Sequence, residues 1–343
     1  MLKFTSILLA VLLWPAGAVG QVAPAYRATL IADFWGDMHI NDQGVIALTR
    51  YGTPYTWSRG TGLTPIATGA VDVLIRGFNN EGTAVGSAMW PPHNEEMTYY
   101  LPVASVQGGP FERVNDFGRS GGAAGINNHG TIVGGVQGGF GDSWYRRGFM
   151  QRDGQDTQFV DFIPQAINDA GAMVGVGLEN DGATIAGIKV WRDGQLSTLE
   201  GVPGERPMFI NQRGWIAGTT DDYQPWLWRD GALTQLWNGT ITDMNDAGVV
   251  IGEYYIGRTV LWFEDQVYEI GERWHEAGWE GWELAHLATI NEKGEIGALL
   301  WDEGFGQRMV LLSPVPEPGL ALQLAAGLAL LGAMRLRKAR RSA

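Results

Sequence analysis

The chain has 343 residues, 45% hydrophobic and 11% aromatic, with no cysteine and a formal net charge of −13. That composition excludes disorder as the main state, and the lack of cysteine excludes disulfide staples and thiol catalysis. The acidic balance argues against nucleic acid and anionic surfaces as partners, leaving neutral glycans and divalent cations as the easier ones.

The chain opens with Lys3, an apolar run from Ile7 to Trp14 and the small-residue end Ala18-Val19-Gly20. This pattern predicts a secretory signal peptide over residues 1–20, cleaved near Ala18 or Gly20, in preference to a buried N-terminal strand. An exported protein without disulfides must be held by its core, and the remaining length is ample for one.

Residues Tyr26–Asp33 read as a lone strand with no hairpin before it. A unit then recurs seven times, and its clearest copy is Ile167–Gly175, INDAGAMVG. Its asparagines are Asn41, Asn79, Asn127, Asn168, Asn211, Asn245 and Asn291. Three residues after each comes Gly44, Gly82, Gly130, Gly171, Gly214, Gly248 or Gly294. The spacings of 38, 48, 41, 43, 34 and 46 residues average about 42, a period typical of propeller blades. A second glycine follows in five copies, as Gly86, Gly134, Gly175, Gly218 and Gly252. The first copy has Leu48 there, and the seventh has Gly297 one place early.

Asparagine suits the first position of a type I turn because its side chain caps backbone amides, and the glycine supplies a left-handed residue. With apolar runs on both sides, each signature predicts a β-hairpin, strands A and B of a unit. An aromatic before a polar turn marks the next hairpin, at Trp57, Trp191, Trp228 and Trp262. Short segments such as Gln195–Leu199 and Ala232–Leu236 complete strands C and D. The seventh unit stops after Arg308–Leu312 without a strand D, so Tyr26–Asp33 is free to supply it and close a ring. An open solenoid would need polar capping units instead. The fold class expected is therefore all-β, a seven-bladed β-propeller over residues 21–313 built from four-stranded repeats.

In such a fold the A–B and C–D turns open on one face, and the B–C and D–A connections on the other. The uniform Asn-x-x-Gly turns mark the first face as structural. Long connections at Ser87–Thr98, Gly135–Arg147 and Gly271–His286 mark the second as functional. Aromatics outside the repeat pattern fall in these segments or close to them: Trp90, Trp144, Tyr145, Tyr223, Trp274, Trp279, Trp282 and Trp301. Glu95, Glu96, Asp142, Asp221, Asp222, Asp302 and Glu303 accompany them. Aromatic faces beside hydrogen-bond acceptors suit sugar rings; the competing reading makes these tryptophans wedges between blades. Gly134–Gly141 (GGVQGGFG) resembles a phosphate loop in composition alone and reads as a flexible B–C loop.

Motif chemistry is sparse. The chain has no G-x-S-x-G, P-loop, H-E-x-x-H or EF-hand pattern, and His39, His93, His129, His275 and His286 match no metal spacing. No catalytic residue, metal or cofactor is predicted. Carboxylates are plentiful enough to keep a two-carboxylate hydrolase open. Asn238-Gly239-Thr240 is a sequon that matters only in a eukaryotic secretory route.

Composition changes after Leu312. Val315-Pro316-Glu317-Pro318 leads into the uncharged run Gly319–Met334, then Arg335, Arg337, Lys338, Arg340 and Arg341. As a helix that run is about 24 Å long, short of a hydrocarbon core of about 30 Å, and its basic end places the C-terminus in the cytoplasm. Removing both terminal segments subtracts six basic residues and one acidic residue, taking the charge from −13 to −18.

Residues 314–343 resemble the PEP-CTERM sorting signal of Gram-negative bacteria, with Val315–Pro318, the short apolar helix and the Arg-rich end all present in order. The resemblance implies recognition by an exosortase, a transient inner-membrane anchor, and a cell that makes extracellular polysaccharide. The repeats resemble the HAF-type extracellular repeats through their Ile-Asn-x-x-Gly core and following Trp-x-x-Gly, a family that supplies no active site. Together these readings describe a secreted or surface-displayed, non-enzymatic propeller of the biofilm matrix that binds glycan. The alternatives are a propeller glycoside hydrolase or lyase acting on exopolysaccharide, and a protein-binding scaffold.

Overall fold

The computed structural model describes residues 25–90, 99–115, 120–140, 143–152, 155–179, 184–202, 206–255, 257–270, 278–304 and 306–315. The expected signal peptide, Trp274 and the tail from Pro316 onward, with Glu317, Pro318, Arg335, Arg337, Lys338, Arg340 and Arg341, lie outside these residues.

The described chain is a seven-bladed β-propeller of four-stranded antiparallel sheets. Blade 1 comprises Met38–Ile40, Ile46–Arg50, Thr53–Ser58 and Gly62–Pro65, and blade 2 Asp72–Phe78, Ala84–Met89, Tyr100–Ser105 and Glu112–Arg113. Blade 3 runs through Ser120–Ile126, Ile132–Phe140, Ser143–Gln151 and Gln158–Val160; blade 4 through Ile163–Ile167, Met173–Leu178, Ile185–Arg192 and Gln195–Thr198. Blade 5 holds Arg206–Ile210, Ile216–Thr219, Pro225–Arg229 and Ala232–Gln235, and blade 6 Gly239–Met244, Val250–Tyr254, Thr259–Phe263 and Gln266–Glu269. Blade 7 has Glu283–Ile290, Ile296–Asp302 and Gly306–Pro314, and its fourth strand is the N-terminal Tyr26–Ala32.

That last pairing closes the ring as the phase of the repeats requires. Tyr26 to Leu30 lie opposite Pro314 to Val310, and the Val315 amide donates to the Ala25 carbonyl at 2.8 Å. A second tie crosses the seam between blades 7 and 1. Arg59 reaches Glu295 at 2.6 Å and Ser313 at 2.9 Å, while Glu295 also accepts from Asn291.

Strand B is the most buried strand of most blades, as Ile46–Arg50 and Ala84–Met89 show. It packs against neighbouring blades on both faces, which is why it reads as a continuous apolar run and not as an alternating one. Each of the seven blade interfaces has its own cluster of buried side chains. The interface between blades 6 and 7 is rich, built on Leu261, Trp282, Leu287 and Leu300. The interface between blades 2 and 3 has Val85, Ala123, Val136 and Phe149 as its fully buried members, because glycines occupy much of Ser120–Ile126 and Ile132–Phe140.

The second glycine of the repeat has a steric cause. Strand A bulges just before its asparagine in six blades, for example between Ile75 and Gly77 or Pro164 and Ala166. A Cβ on Gly86 would lie 1.9 Å from the Leu74 carbonyl oxygen, and one on Gly175 would lie 2.0 Å from that of Ile163. Strand A of blade 1 runs without a bulge opposite Ala47 and Leu48, so the first copy carries Leu48 without penalty.

Two expectations are corrected. Gly135–Arg147 is not a long connection: the ladder of blade 3 continues from Ile132↔Gln151 to Phe140↔Ser143. Its glycines read as loop formers, yet residue-by-residue pairing with Ser143–Gln151 holds this hairpin extended. Trp144 and Tyr145 are therefore strand residues, paired with Gly139 and Gly138. Likewise the connection before blade 7 ends at Trp282, so His286 lies on an inner strand.

Candidate functional site

The face carrying the Asn-x-x-Gly turns is organised by two concentric rings of hydrogen bonds. Within each turn the asparagine side-chain oxygen accepts the amide four residues on, as Ala172 to Asn168 at 2.9 Å, and the turn glycine donates to the asparagine carbonyl. All seven glycines have φ between 71° and 86°, the left-handed region the turn needs. The asparagine Nδ2 does more. Asn41 donates to the carbonyl of Asn79, Asn79 to Asn127, Asn127 to Asn168, and Asn168 to Asn211. Asn211 donates to Asn245, Asn245 to Asn291, and Asn291 back to Asn41, over 2.9 to 3.3 Å throughout. All seven are buried.

The residue after each asparagine builds the second ring. The amides of Asp42, Asn80, Asn128, Asp169, Gln212, Asp246 and Glu292 each donate to the side chain of the equivalent residue in the next blade. Four members are carboxylates. Burial pushes the Glu292 carboxyl up to about 7, and the charges of Asp246, Asp42 and Asp243 push the same way against the Asp246 amide. Burial also raises Asp246. Just inside, Asp243 accepts from Thr289 and the Ile290 amide at 2.8 Å each, and burial carries its carboxyl to about 6. On this face a groove of about 460 Å³ opens between blades 2 and 3, lined by Glu81, Glu112, Arg113, His129 and Arg152 among others. It lies over the interface built on Val85, Ala123, Val136 and Phe149.

The opposite face, formed by the B–C and D–A connections, differs in kind. Six aromatic side chains are exposed among the described residues: Trp35, Tyr51, Phe159, Tyr223, Tyr255 and Trp301. All but Phe159 lie on this face, spread over blades 5, 6, 7 and 1. Tyr223 and Tyr255 approach each other across blades 5 and 6, their centroids 6.0 Å apart. Tyr51 and Tyr223 hold φ of 46° and 56°, a backbone that tyrosine rarely adopts.

The aromatics singled out in the sequence are divided by the structure. Trp301 is 37% exposed, at the end of strand B of blade 7. Trp282 is 8% exposed within the core between blades 6 and 7. Trp279 packs half-buried against that core, edge-on to Trp282 at 6.2 Å, and Arg308 covers both rings. Trp90 is half-buried over the core between blades 1 and 2, under Arg113. Trp35, Tyr51 and Tyr255, like Tyr223, sit in short connections, where no length signal in the sequence marks them.

One carboxylate–imidazole pair stands near this face. His286 of blade 7 donates from Nδ1 to the Glu253 carboxylate of blade 6, both partly exposed. Glu253 is fixed from behind, since its carbonyl accepts Trp237 Nε1 at 2.9 Å.

No protein-family model and no curated protein matches the chain. Among solved structures, a chain of a mitotic checkpoint complex is similar at 11% identity and a TM-score of 0.48, over 90% of this chain and 100% of that one. A Trypanosoma rangeli sialidase in complex with the inhibitor DANA is 10% identical, with a TM-score of 0.40, over 88% of this chain and 57% of the sialidase. An oxidoreductase (glucose dehydrogenase) of Thermus thermophilus is 12% identical, with a TM-score of 0.34, over 84% of this chain and 100% of that one. At such scores the fold is established by the sheet topology, and no chemistry is carried over from these proteins.

Proposed function

We propose that this chain is an exported propeller of the extracellular polysaccharide matrix of a Gram-negative bacterium, and that it binds glycan through its B–C and D–A face. The observation that carries the reading is the segregation of exposed aromatics: among the described residues, five of the six lie on that face. Exposed rings cost solvation and stack on the apolar faces of sugars. The experiment is a glycan array with the exported chain; retention of neutral glycans that survives washing supports the reading, and an empty array removes it.

Sorting is part of the same proposal. Val315–Pro318, the apolar run and the Arg-rich end would present the chain to an exosortase. Glu317→Ala should leave it in the inner membrane with its propeller intact; normal surface delivery of that variant would reduce the tail to an anchor.

A second reading, a propeller hydrolase or lyase, is favoured by the His286–Glu253 pair, since a carboxylate-oriented imidazole is a general base. Release of reducing or unsaturated ends from exopolysaccharide that His286→Asn abolishes would establish it.

A further inference from the structure

Tyr223 and Tyr255 are presented by a built framework, not by loose loop tips. The backbones of three connections are knitted together beneath them. The Gly239 amide donates to the Tyr223 carbonyl at 2.9 Å, the Tyr255 amide to the Asn238 carbonyl at 3.0 Å, and the Tyr223 amide to Thr220 at 3.1 Å. Trp237, 5% exposed, anchors the middle connection in the core between blades 5 and 6. The rings above are 52% and 75% exposed, inclined at 58° to one another.

Beside the rings runs a directed line of amides. Gln235 Nε2 donates to Gln224 Oε1 at 2.6 Å, and Gln224 Nε2 donates to Asn238 Oδ1 at 3.0 Å. That order fixes the Asn238 amide with its oxygen inward, leaving its NH2 group as a donor at an exposed residue. Asp222, also exposed, adds an acceptor on the Tyr223 connection. The set of groups is two hydrocarbon ring faces, one oriented donor and one acceptor.

Tyr223 holds a left-handed backbone with φ of 56°, where glycine would sit without strain. The ring is more than half exposed, so core packing gives no reason to keep a tyrosine there.

We propose that Tyr223 and Tyr255 form a sugar-stacking subsite for an uncharged pyranose chain, with Asn238 Nδ2 and Asp222 bonding its hydroxyls. This rests on the glycan-binding reading and locates it on blades 5 and 6. The charge favours neutral polymers, since an anionic chain would meet a protein of net charge −13 with Asp221 and Asp222 at the site.

The test is native affinity electrophoresis of the full chain in gels containing dextran, β-1,3-glucan, galactomannan or xylan, with alginate as the anionic control. Tyr223→Ala and Tyr255→Ala should each weaken retardation in a neutral gel by about tenfold, the scale of one aromatic contact. Tyr223→Phe and Tyr255→Phe should keep it, as should Phe159→Ala on the outer edge of blade 3. Tyr223→Gly should melt no lower than wild type yet lose retardation, which separates ligand contact from folding. Wild-type retardation that the tyrosine variants leave unchanged would overturn the subsite while sparing the glycan reading. Retardation by alginate alone would overturn the neutral-ligand assignment, and retardation by no polymer would overturn both.

Discussion

The two faces of this propeller use their polar and aromatic groups in opposite ways. On the turn face every asparagine repeats one set of bonds, seven times over: its oxygen holds its own turn and its Nδ2 is committed to the next blade. On the loop face the connections differ in length and sequence, and aromatic rings stand in solvent, two of them, Tyr51 and Tyr223, on left-handed backbones. Repetition serves closure, because a ring of blades needs the same joint at every interface. Variation serves recognition, because residues not required for closure are free to differ.

The comparison is broken most severely at Trp282, which belongs to a loop-face connection but is buried between blades 6 and 7. Trp282→Ala should cost about 3–5 kcal/mol in a denaturant melt, the range for emptying a buried aromatic site. A loss below about 1 kcal/mol would return this residue to the loop face as a ligand contact.

On the turn face, Asn168→Ala removes the bond to the Asn211 carbonyl and the acceptor for Ala172. The Asn211 carbonyl keeps the Gly214 amide, but the Ala172 amide loses its acceptor, for a combined cost of about 2–4 kcal/mol. Equal stability of variant and wild type would mean that the ring is ornamental. Gly171→Val should cost about 1–3 kcal/mol more than Ala170→Val, because Gly171 at φ 77° has open space around it and only its backbone objects.

Protonation tests the same face more gently. Glu292 and Asp243 bind their protons more tightly folded than unfolded, at about 7 and about 6. Stability should therefore fall as pH rises from about 4.5 through 7, and level off above. Glu292→Gln keeps an acceptor for the Asp246 amide without the charge. It should flatten part of this slope and raise Tm at pH 8 by about 2–4 °C. Parallel curves for variant and wild type would exclude Glu292 as the source.

Much of the turn face was legible in the sequence. The Asn-x-x-Gly period announced the blades, and the phase offset of Tyr26–Asp33 announced the closure, because both follow from local turn chemistry and strand counting. The bonds from Asn41 to Asn79 and onward were not legible, since they join residues 34 to 48 positions apart and, at the closure, 250 apart. The loop face was legible only in outline. Exposure of an aromatic depends on how its neighbours pack, and sequence alone cannot separate Trp282 in the core from Tyr255 in solvent. Glycines misled the reading of Ile132–Phe140 for a related reason: pairing with Ser143–Gln151 decides its conformation, and pairing is a property of the partner strand.

The smallest expected effect lies at Tyr51, and it carries the opposite sign to those on the turn face. Tyr51 and Gly52 form the tight turn between strands B and C of blade 1, both at positive φ, 46° and 76°. Such a turn favours Asn or Gly at its first position. The Tyr51 ring is 89% exposed, and its one described partner is the Arg50 guanidinium at 5.8 Å, a contact worth about 0.5 kcal/mol at such a site. Relief of the left-handed backbone outweighs that contact, so Tyr51→Gly should leave stability unchanged or raise it by up to about 1 kcal/mol. Substitution of a turn-face residue by the turn's unpreferred type destabilises, whereas this substitution brings the preferred type in. If Tyr51→Gly instead lowers the melting midpoint by several degrees, the ring is packing against the fold and the loop face is more structural than its exposure shows. If stability holds and retention on neutral polysaccharide falls, Tyr51 extends the recognition surface from blades 5 and 6 around to blade 1.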